Sequence, residues 1–237
     1  MENFWGERTA DQHIYNNKSW FDEPKEYYTL VLTDIAKKLP SPNSLLDIGC
    51  ANGAFLFHAQ TALVGTKLYG AEPLSDLANL AKKYTSAEIT EAGLFEFPEN
   101  RKYEIVTMLG VLGIFFDIAE VLAKLKKCMA PQGAIYIHSS FNEENIDVIL
   151  KYRRAPSGPW EIGHNLFSKK TIESVCETLG MKCEWIDFTL SKSIPKTDDP
   201  MRMWTESFRG NKYYPIYGNN TFVDEKLLCI RSSTDSW

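Results

Sequence analysis

The sequence predicts an α/β fold built on a doubly wound, mostly parallel sheet, and two observations carry this prediction. Apolar runs alternate with helix-like stretches from residue 44 onward, as expected for parallel strands with helices on both faces of a sheet. The first run, Leu45–Ile48, passes through Gly49 and Gly53 into a helix-like stretch. This order predicts a buried strand, a tight turn and a helix N-terminus, which together are typical of a ligand-binding loop.

Local signals justify the other elements in order. A helix is predicted over residues 25–38 because Pro40 and Pro42 follow it, and the residue before a proline disfavours helical backbone. Ser75 and Ser168 are predicted N-caps, because a serine hydroxyl can accept a backbone N–H at a helix start. Strands are predicted at Lys67–Ala71, Glu88–Thr90, Tyr103–Leu109, Ala134–Ser139, Lys182–Leu190 and Thr221–Ser232, helices at Ser75–Tyr84, Ile118–Met129 and Ser168–Leu179, a turn at Ala130–Gly133 and a C-terminal helix stop at Gly180.

Length and composition are those of one globular domain. The chain has 237 residues, of which 44% are hydrophobic and 24% charged, so it can bury a sizeable core. Two stretches, 141–167 and 191–220, break the alternation and are rich in aromatic residues, proline and glycine. Ordered loops of this length are usually functional, and the first is the expected binding segment.

Charge, hydropathy and cysteine usage argue against several function classes. The net charge of −5 and the pI near 5.5 disfavour a nucleic-acid partner. No apolar stretch approaches the roughly 20 residues of a membrane helix, and Met1–Tyr15 is polar, unlike a signal or transit peptide. The five cysteines are scattered without a CxxC pair. They predict free thiols in a reducing cytoplasm and no metal site.

An acid at the end of the second strand narrows the choice of ligand. Glu72 follows that strand, 25 residues after Asp47. A carboxylate in this position can accept hydrogen bonds from both ribose hydroxyls of NAD or of S-adenosylmethionine (SAM). The dinucleotide fingerprint G-x-G-x-x-G needs three glycines, whereas residues 49–53 read G-x-A-x-G.

From this point the chain resembles the class I SAM-dependent methyltransferases, whose first motif is D/E-x-G-x-G-x-G. Asp47, Gly49 and Gly53 match that motif, while Ala51 replaces its middle glycine.

The resemblance continues at two later positions. Tyr103–Val106 stands where the family has its F-D-x-V entry to the fourth strand, and Leu125–Gly133 is similar to the L-K-P-G-G turn before the fifth. The match covers roughly residues 40–140. It implies an antiparallel last strand, an N-terminal cap over residues 1–40, a cofactor half over 41–140 and an acceptor half over 141–237.

The resemblance also implies the cofactor chemistry: SAM as methyl donor, S-adenosylhomocysteine (SAH) as product, and no metal. Gly49 and Gly53 would let the backbone pack against the cofactor, Asp47 would lie near its amino group or a bridging water, and Glu72 would hold its ribose. The implied cofactor contacts are Asp47, Gly49, Cys50, Ala51, Gly53, Glu72, Pro73, Leu94, Phe95, Leu109 and Gly110.

Candidate bases come from the caps and loops around the expected cofactor. His164 lies in the insertion after the fifth strand, where this family commonly builds its acceptor site; the alternative is a surface histidine paired with Glu161. His13 and Tyr15, in the N-terminal cap, are the second candidates, with cap packing as the alternative. His138 is expected to be a structural residue of the fifth strand.

Candidate acceptor contacts lie in the same insertion. Arg153 and Arg154 precede Trp160, and two guanidinium groups beside an aromatic ring suit a phosphate or carboxylate on the acceptor. The alternative is a solvated basic segment. In the cap, Trp20 and the Tyr27–Tyr28 pair would close over the site or simply pack the cap.

Three functions remain open. The first is a methyltransferase for a small polar acceptor, with O-methylation of a sugar or phosphoramidate group in bacterial surface-glycan (capsule or O-antigen) or secondary-metabolite biosynthesis as its narrower form. The layout is similar to that of methyltransferases that modify bacterial surface polysaccharides. N- or C-methylation of a small metabolite or nucleotide sugar is its alternative. The others are a nicotinamide-dependent oxidoreductase and a non-catalytic methyltransferase-like binding protein. The expected state is a cytoplasmic monomer or homodimer without nucleic-acid or membrane partners.

Overall fold

The computed structural model describes residues 15, 17–153, 157, 158, 160–196, 203–208, 212–216 and 224–232. Its α-helices are α1 (Ser19–Asp22), α2 (Glu26–Lys38), α3 (Ala54–Ala62), α4 (Ser75–Tyr84), α5 (Ile118–Cys128) and α6 (Lys169–Thr178). Its strands are β1 (Ser44–Ile48), β2 (Lys67–Ala71), β3 (Glu88–Thr90), β4 (Tyr103–Leu109), β5 (Met129–Asn142), β6 (Lys151–Tyr152), β7 (Glu161–Ile162), β8 (Phe167–Ser168), β9 (Met181–Asp187), β10 (Trp204–Phe208), β11 (Lys212–Ile216) and β12 (Asp224–Ser232).

One large sheet organises these elements in the order β3-β2-β1-β4-β5-β12-β9, with β8 paired to β5. The pairs among β1 to β5 are parallel, whereas β12 runs antiparallel to both β5 and β9. The predicted doubly wound sheet with an antiparallel last strand is confirmed. Its strand order reverses between β1 and β4, and such a switch point opens a crevice at the carboxyl ends of the strands.

Apolar side chains cover both faces of the sheet. On one face, α2 and α3 place residues such as Ile35 and Leu56 against Leu45 and Ile105. On the other face, α5 and α6 place residues such as Leu122 against Val106 and Ile137. Because both faces are covered, most residues of β1 and β4 are buried, and burial does not alternate along these strands.

Side-chain N-caps are present at the starts of α5 and α6 but not at the predicted position in α4. The Ser168 hydroxyl accepts from Thr171 N–H, so the predicted N-cap of α6 is confirmed, and Gly180 ends the helix with φ +66°. Asp117 caps α5 in the same way. The predicted N-cap Ser75 is wrong, because it is already the first residue of α4 and its hydroxyl bonds to Glu91.

Three regions contain more strand than the sequence predicts. β5 begins at Met129, and the expected turn at Ala130–Gly133 is an irregularity within the strand, where the register against β4 shifts. The stretch 141–167 contains the β6–β7 pair, and the stretch 191–220 contains the β10–β11 pair. Within the described ranges, no helix has the length and apolar character to cross a membrane.

Candidate functional site

A cavity opens where the carboxyl ends of β1, β2 and β4 meet the N-terminal segment, at the switch point of the sheet. Most of the residues that the sequence analysis assigned to a cofactor lie in its wall. The cavity is lined by Tyr15, Trp20, Lys25, Tyr28, Asp47, Ile48, Gly49, Cys50, Ala51, Phe55, Glu72, Pro73, Leu74, Leu77, Ala92, Gly93, Leu94, Leu109, Gly110, Val111, Ile114, Phe115 and Ile162.

The turn after β1 is built from three residues with left-handed backbone. Gly49, Ala51 and Gly53 have φ values of +74°, +49° and +85°. At Gly49 a Cβ atom would lie 2.6 Å from Cγ2 of Val111, so glycine lets the turn touch the loop after β4. At Gly53 a Cβ atom would lie 3.0 Å from Ala81 of α4. Gly53 therefore serves the contact between α3 and α4 and does not line the cavity.

Glu72 forms hydrogen bonds that connect the turn after β1 to the end of β2. Its Oε2 accepts from the N–H of Ala51 at 2.9 Å, and its Oε1 accepts from the N–H of Leu74 at 3.1 Å. Burial raises the pKa of this carboxyl, while the bonds from Leu74 and Ala51 act in the opposite direction. Each carboxylate oxygen keeps a second lone pair for a ligand, because an ionised carboxylate offers about four acceptor positions.

Asp47 is the second buried acid of the cavity. Its Oδ1 accepts from the hydroxyl of Thr107 on the neighbouring strand at 2.7 Å. Burial raises the pKa of Asp47 from 3.8 to about 7; the Thr107 bond lowers it and Glu72 raises it further. A cation placed in the cavity would stabilise the ionised form of Asp47.

The charge of the wall favours a ligand with positive groups. Two buried carboxylates, Asp47 and Glu72, face the cavity. Among the described residues that line it, Lys25 is the one cationic side chain, and its ammonium lies 3.6 Å above the ring of Trp20. This arrangement suits a sulfonium and an ammonium better than the two phosphates of a dinucleotide.

Two groups of lining residues were outside the predicted set of cofactor contacts. Lys25 and Tyr28 reach the cavity from the start of α2, and Phe115 and Ile162 close the opposite side. Tyr28 was predicted to close the site or pack the cap, and it is buried and lines the cavity. Lys25 and Ile162 carry no local motif, so only the packing of distant segments brings them here.

The predicted cofactor contacts fall into two groups. The lining group contains Asp47, Gly49, Cys50, Ala51, Glu72, Pro73, Leu94, Leu109 and Gly110, and the other group is Gly53 and Phe95. Phe95 does not line the cavity and is 38% exposed, with its ring edge-on to Phe115 at 5.7 Å between centroids.

Of the predicted catalytic candidates, one lines the cavity. Tyr15 lines the cavity, and His13 lies outside the described residues. His164 is half-buried and does not line the cavity; its Cα lies 3.5 Å from the position a Cβ would take on Gly113. Glu161 accepts a hydrogen bond from the hydroxyl of Tyr152.

Among the predicted acceptor contacts, Arg153 directly follows β6 and Trp160 directly precedes β7, and neither residue lines the cavity. The guanidinium of Arg153 is 5.3 Å from the ring centroid of Trp160, which is 56% exposed. Arg154 lies outside the described residues. In the part of the chain that the structure describes, no three His, Cys, Asp or Glu side chains are grouped to hold a metal ion.

Comparison with known proteins identifies a matching family. A family model described as a methyltransferase domain matches residues 20–184. No curated protein matches the chain by sequence.

Several solved structures share this fold. The 1,6-didemethyltoxoflavin-N1-methyltransferase of Burkholderia thailandensis, solved with bound 1,6-didemethyltoxoflavin and SAH, has a TM-score of 0.60 and 11% identity, covering 94% of this chain and 84% of its own. A sugar N-methyltransferase from a Streptoalloteichus species has a TM-score of 0.53 and 17% identity, covering 71% and 85%. The DhpI–SAH complex has a TM-score of 0.58 and 11% identity, covering 95% and 97%. At these identities the likeness concerns the fold.

Proposed function

The chain belongs to the class I SAM-dependent methyltransferases, and from this premise we propose that its cavity binds SAM and that the enzyme methylates a small polar acceptor. The observation that carries the proposal is the joint position of Asp47, Gly49 and Glu72 in one wall, at the switch point of the sheet. The structural neighbours solved with SAH support the same cofactor.

The negative charge of the cavity favours SAM over the dinucleotide of a nicotinamide-dependent oxidoreductase. A dinucleotide brings two phosphates, which need backbone N–H groups at a helix start or basic side chains. Here Asn52 Oδ1 accepts from Ala54 N–H at the start of α3, and two buried carboxylates face the ligand space. Repulsion between these acids and a pyrophosphate disfavours the dinucleotide.

We assign a separate role in binding or catalysis to each group of residues that lines the cavity. SAM, when bound, supplies a methyl group that its positive sulfur already activates. Glu72 would accept the ribose hydroxyls, and Asp47 would face the amino group. The backbone from Leu109 to Val111 would exclude water behind the reacting centre, and Tyr15 would face the acceptor. Alignment and exclusion of water are the main demands of an in-line methyl displacement.

For the acceptor we propose a sugar hydroxyl or a similar small polar group, such as a phosphoramidate. The cap contributes aromatic side chains, Trp20 and Tyr28, beside the ammonium of Lys25. Aromatic faces stack on sugar rings, and an ammonium binds a phosphate or carboxylate of an activated sugar. An amine acceptor is the second candidate, because one structural neighbour is a sugar N-methyltransferase.

The cofactor assignment is tested by replacing its ribose contact. Glu72→Ala should weaken SAM binding about 30-fold or more, because it removes charge-assisted hydrogen bonds worth about 1.5–3 kcal/mol each. Titration calorimetry with SAM, SAH and NAD gives the affinities. Glu96→Ala is the matched control, since Glu96 is exposed in the loop after β3. Unchanged SAM affinity in Glu72→Ala would refute the ribose contact, and tighter binding of NAD than of SAM would refute the cofactor.

The acceptor assignment is tested with a panel of compounds. Nucleotide sugars with free hydroxyls and matched amino-sugar nucleotides are incubated with SAM and the enzyme, and SAH release is followed. Mass spectrometry then shows which oxygen or nitrogen gained a methyl group. Turnover confined to amino sugars would contradict O-methylation and favour N-methylation.

A further inference from the structure

One face of the β6–β7 pair borders the cavity. Ile162 is buried and lines the cavity, and Lys151 lies directly opposite it in the register of the two strands. Directly opposite residues of an antiparallel pair project to the same face, with their Cβ atoms about 4.5–5.5 Å apart. The side chain of Lys151 is exposed, so it lies at the rim of the cavity, beside a residue of its wall.

A second pair of side chains extends this face away from the cavity. Arg153 directly follows β6 and Trp160 directly precedes β7, each two residues from a member of the first pair. Side chains two residues apart in extended backbone share a face and are about 7 Å apart along it. The guanidinium of Arg153 lies 5.3 Å from the ring centroid of Trp160, so the two side chains meet as this alternation requires. We call the surface formed by Lys151, Arg153, Trp160 and Ile162 the rim face.

Both cations of the rim face contact an aromatic ring. The ammonium of Lys151 lies 5.3 Å from the ring centroid of Phe116, whose neighbour Phe115 lines the cavity. Among the residues that the structure describes, no carboxylate forms an ion pair with Lys151 or Arg153. Trp160 is 56% exposed even with the guanidinium beside it. The rim face therefore presents two positive charges and an accessible indole to a ligand.

A buried asparagine attaches the rim face to the cavity wall. Asn165 is 1% exposed; its Nδ2 donates to the carbonyl of Phe115 at 2.7 Å, and its Oδ1 accepts from the N–H of Leu150 at 2.8 Å. Its own N–H donates to the carbonyl of Gly113 at 2.8 Å. Leu150 directly precedes β6, so one side chain joins this strand to the loop after β4. A surface that is already fixed in place loses less entropy when a ligand binds.

We propose that the rim face binds the nucleoside diphosphate of a nucleotide-sugar acceptor. The base stacks on Trp160, the two phosphates bind Arg153 and Lys151, and the sugar passes Ile162 into the cavity. This inference deepens the proposed function and rests on it. The order of the contacts follows the order of the ligand, because a diphosphate joins the sugar to the nucleoside and the cation beside Ile162 is the one nearest the cavity.

Each part of such a ligand has a suitable partner. A guanidinium binds phosphate oxygens in bidentate fashion and an ammonium binds them as a point charge. Every nucleobase has a face that stacks on an aromatic side chain. The buried acids Asp47 and Glu72 repel phosphates from the interior of the cavity. The diphosphate is therefore favoured on the rim face, while the sugar enters the cavity. Lys25, which reaches the cavity from the start of α2, is the rival partner for the phosphates.

Nucleoside diphosphates test the rim face without a methyl acceptor. In titration calorimetry of the SAH-saturated protein, at least one of UDP, CDP, GDP and ADP should bind with a Kd below about 1 mM. It should bind about tenfold or more tightly than its nucleoside or inorganic pyrophosphate, because stacking and charge act together.

Substitutions then separate the contributions of the ring and the charges. Trp160→Ala should weaken binding of the diphosphate about tenfold or more, whereas Trp160→Phe keeps a stacking ring and should change it by less than about threefold. Lys151→Met combined with Arg153→Met should also weaken it about tenfold or more and reduce its dependence on salt.

Lys83→Met is the matched control for the loss of a charge. Lys83 on α4 is likewise exposed, and its ammonium lies 5.3 Å from the ring centroid of Tyr84. This variant should bind the diphosphate as the wild type does. Lys25→Met, measured in the same way, tests the rival site.

Turnover gives a second readout once the panel has identified a nucleotide sugar. In Trp160→Ala the KM for that acceptor should rise about tenfold or more while kcat stays within about threefold, because the lost contact is made equally in the ground state and the transition state. The affinity of every rim-face variant for SAH should stay within about threefold of the wild type, since the cofactor contacts are separate. This measurement also shows that the variants are folded.

Several results would overturn the inference. They are wild-type protein that binds SAH but none of the four diphosphates, equal binding of the diphosphate by Trp160→Ala and the wild type, and a loss of binding confined to Lys25→Met. The failure of the proposed function looks different, because the wild-type protein would then bind neither SAM nor SAH in calorimetry.

Discussion

At the scale of single residues, Ala51 shows how a motif can keep its backbone without its glycine. It stands where the motif that the chain resembles has a middle glycine, and its φ of +49° is in the left-handed region. A side chain in that region costs about 1–2 kcal/mol relative to glycine. The N–H of Ala51 donates to Glu72, so the conformation is maintained by the same carboxylate that we assign to the ribose.

The left-handed conformation of Ala51 predicts the effect of two substitutions at this position. Ala51→Gly should keep SAM affinity within about threefold and change the free energy of unfolding by less than about 1 kcal/mol, because relief of backbone strain and the larger entropy of the unfolded chain oppose each other. Ala51→Val should destabilise the fold by about 2 kcal/mol or more, because a branched Cβ is poorly tolerated at positive φ. Chemical denaturation and calorimetry measure both effects. Equal stability of the two variants would contradict the assigned conformation.

Residues with a local signature were predictable, and those without one were not. Asp47 and Glu72 were found because each directly follows or ends an apolar run. Lys25 was not found, because nothing in its neighbourhood indicates that its ammonium reaches a cavity formed by β1 and β2.

At the scale of elements, two loops from non-consecutive strands form the floor of the cavity. The turn after β1 and the loop after β4 meet at Gly49 and Val111, where a Cβ on Gly49 would lie 2.6 Å from Val111. Because both contact atoms belong to lining residues, the shape of the cavity depends on this approach.

The contact predicts a result for Gly49→Ala. The added methyl group must displace Val111, so SAM affinity should fall about tenfold or more, and the fold should lose about 2–4 kcal/mol from overpacking and backbone strain together. Gly65→Ala is the matched control, because Gly65 has φ +88° but nothing within 4 Å of its added Cβ. The control should lose only the strain energy and keep its SAM affinity. Equal loss of affinity in both variants would contradict a role for the contact with Val111.

Elements with long periodic patterns were predicted well, and the shortest strands were not. β1 to β4 match their predicted ranges to within one residue. The β6 and β7 strands have two residues each, too few for an apolar alternation to be visible. They exist because Lys151 and Tyr152 pair with Ile162 and Glu161 across an insertion, and such pairing depends on tertiary contacts.

At the scale of the whole molecule, folding buries two acids, Asp47 and Glu72, in the wall of the cavity. Burial disfavours the ionised form of both carboxyl groups. The pKa of Asp47 in the free protein is raised from 3.8 to about 7. A raised acid pKa lowers stability progressively as the pH rises from the unfolded value to the folded one. The unfavourable contribution therefore grows between about pH 4 and pH 7 and is constant above, and a bound cation offsets it.

This linkage predicts the pH dependence of cofactor binding. If Asp47 must be ionised to face the amino group of SAM, affinity should rise about tenfold from pH 6 to pH 8, because most Asp47 is protonated at pH 6. Calorimetry in buffers of different ionisation enthalpy should also detect proton release at pH 6. Asp47→Asn should bind weakly with a flat profile and should unfold at a higher temperature than the wild type at pH 8. A wild-type affinity that does not change with pH would contradict the role of Asp47.

The sequence by itself determined the succession of strands and helices along the chain, the tight turn after β1 and the acids at the strand ends. These depend on periodicity, on glycine and on capping, which act within a few residues along the chain. Only the tertiary structure decided that Tyr15 and Lys25 face the cavity while His164 does not. It also brought His138 to Glu225, 87 residues away. Contacts of that kind follow from the order in which strands join the sheet, and the sequences of the separate strands do not encode that order.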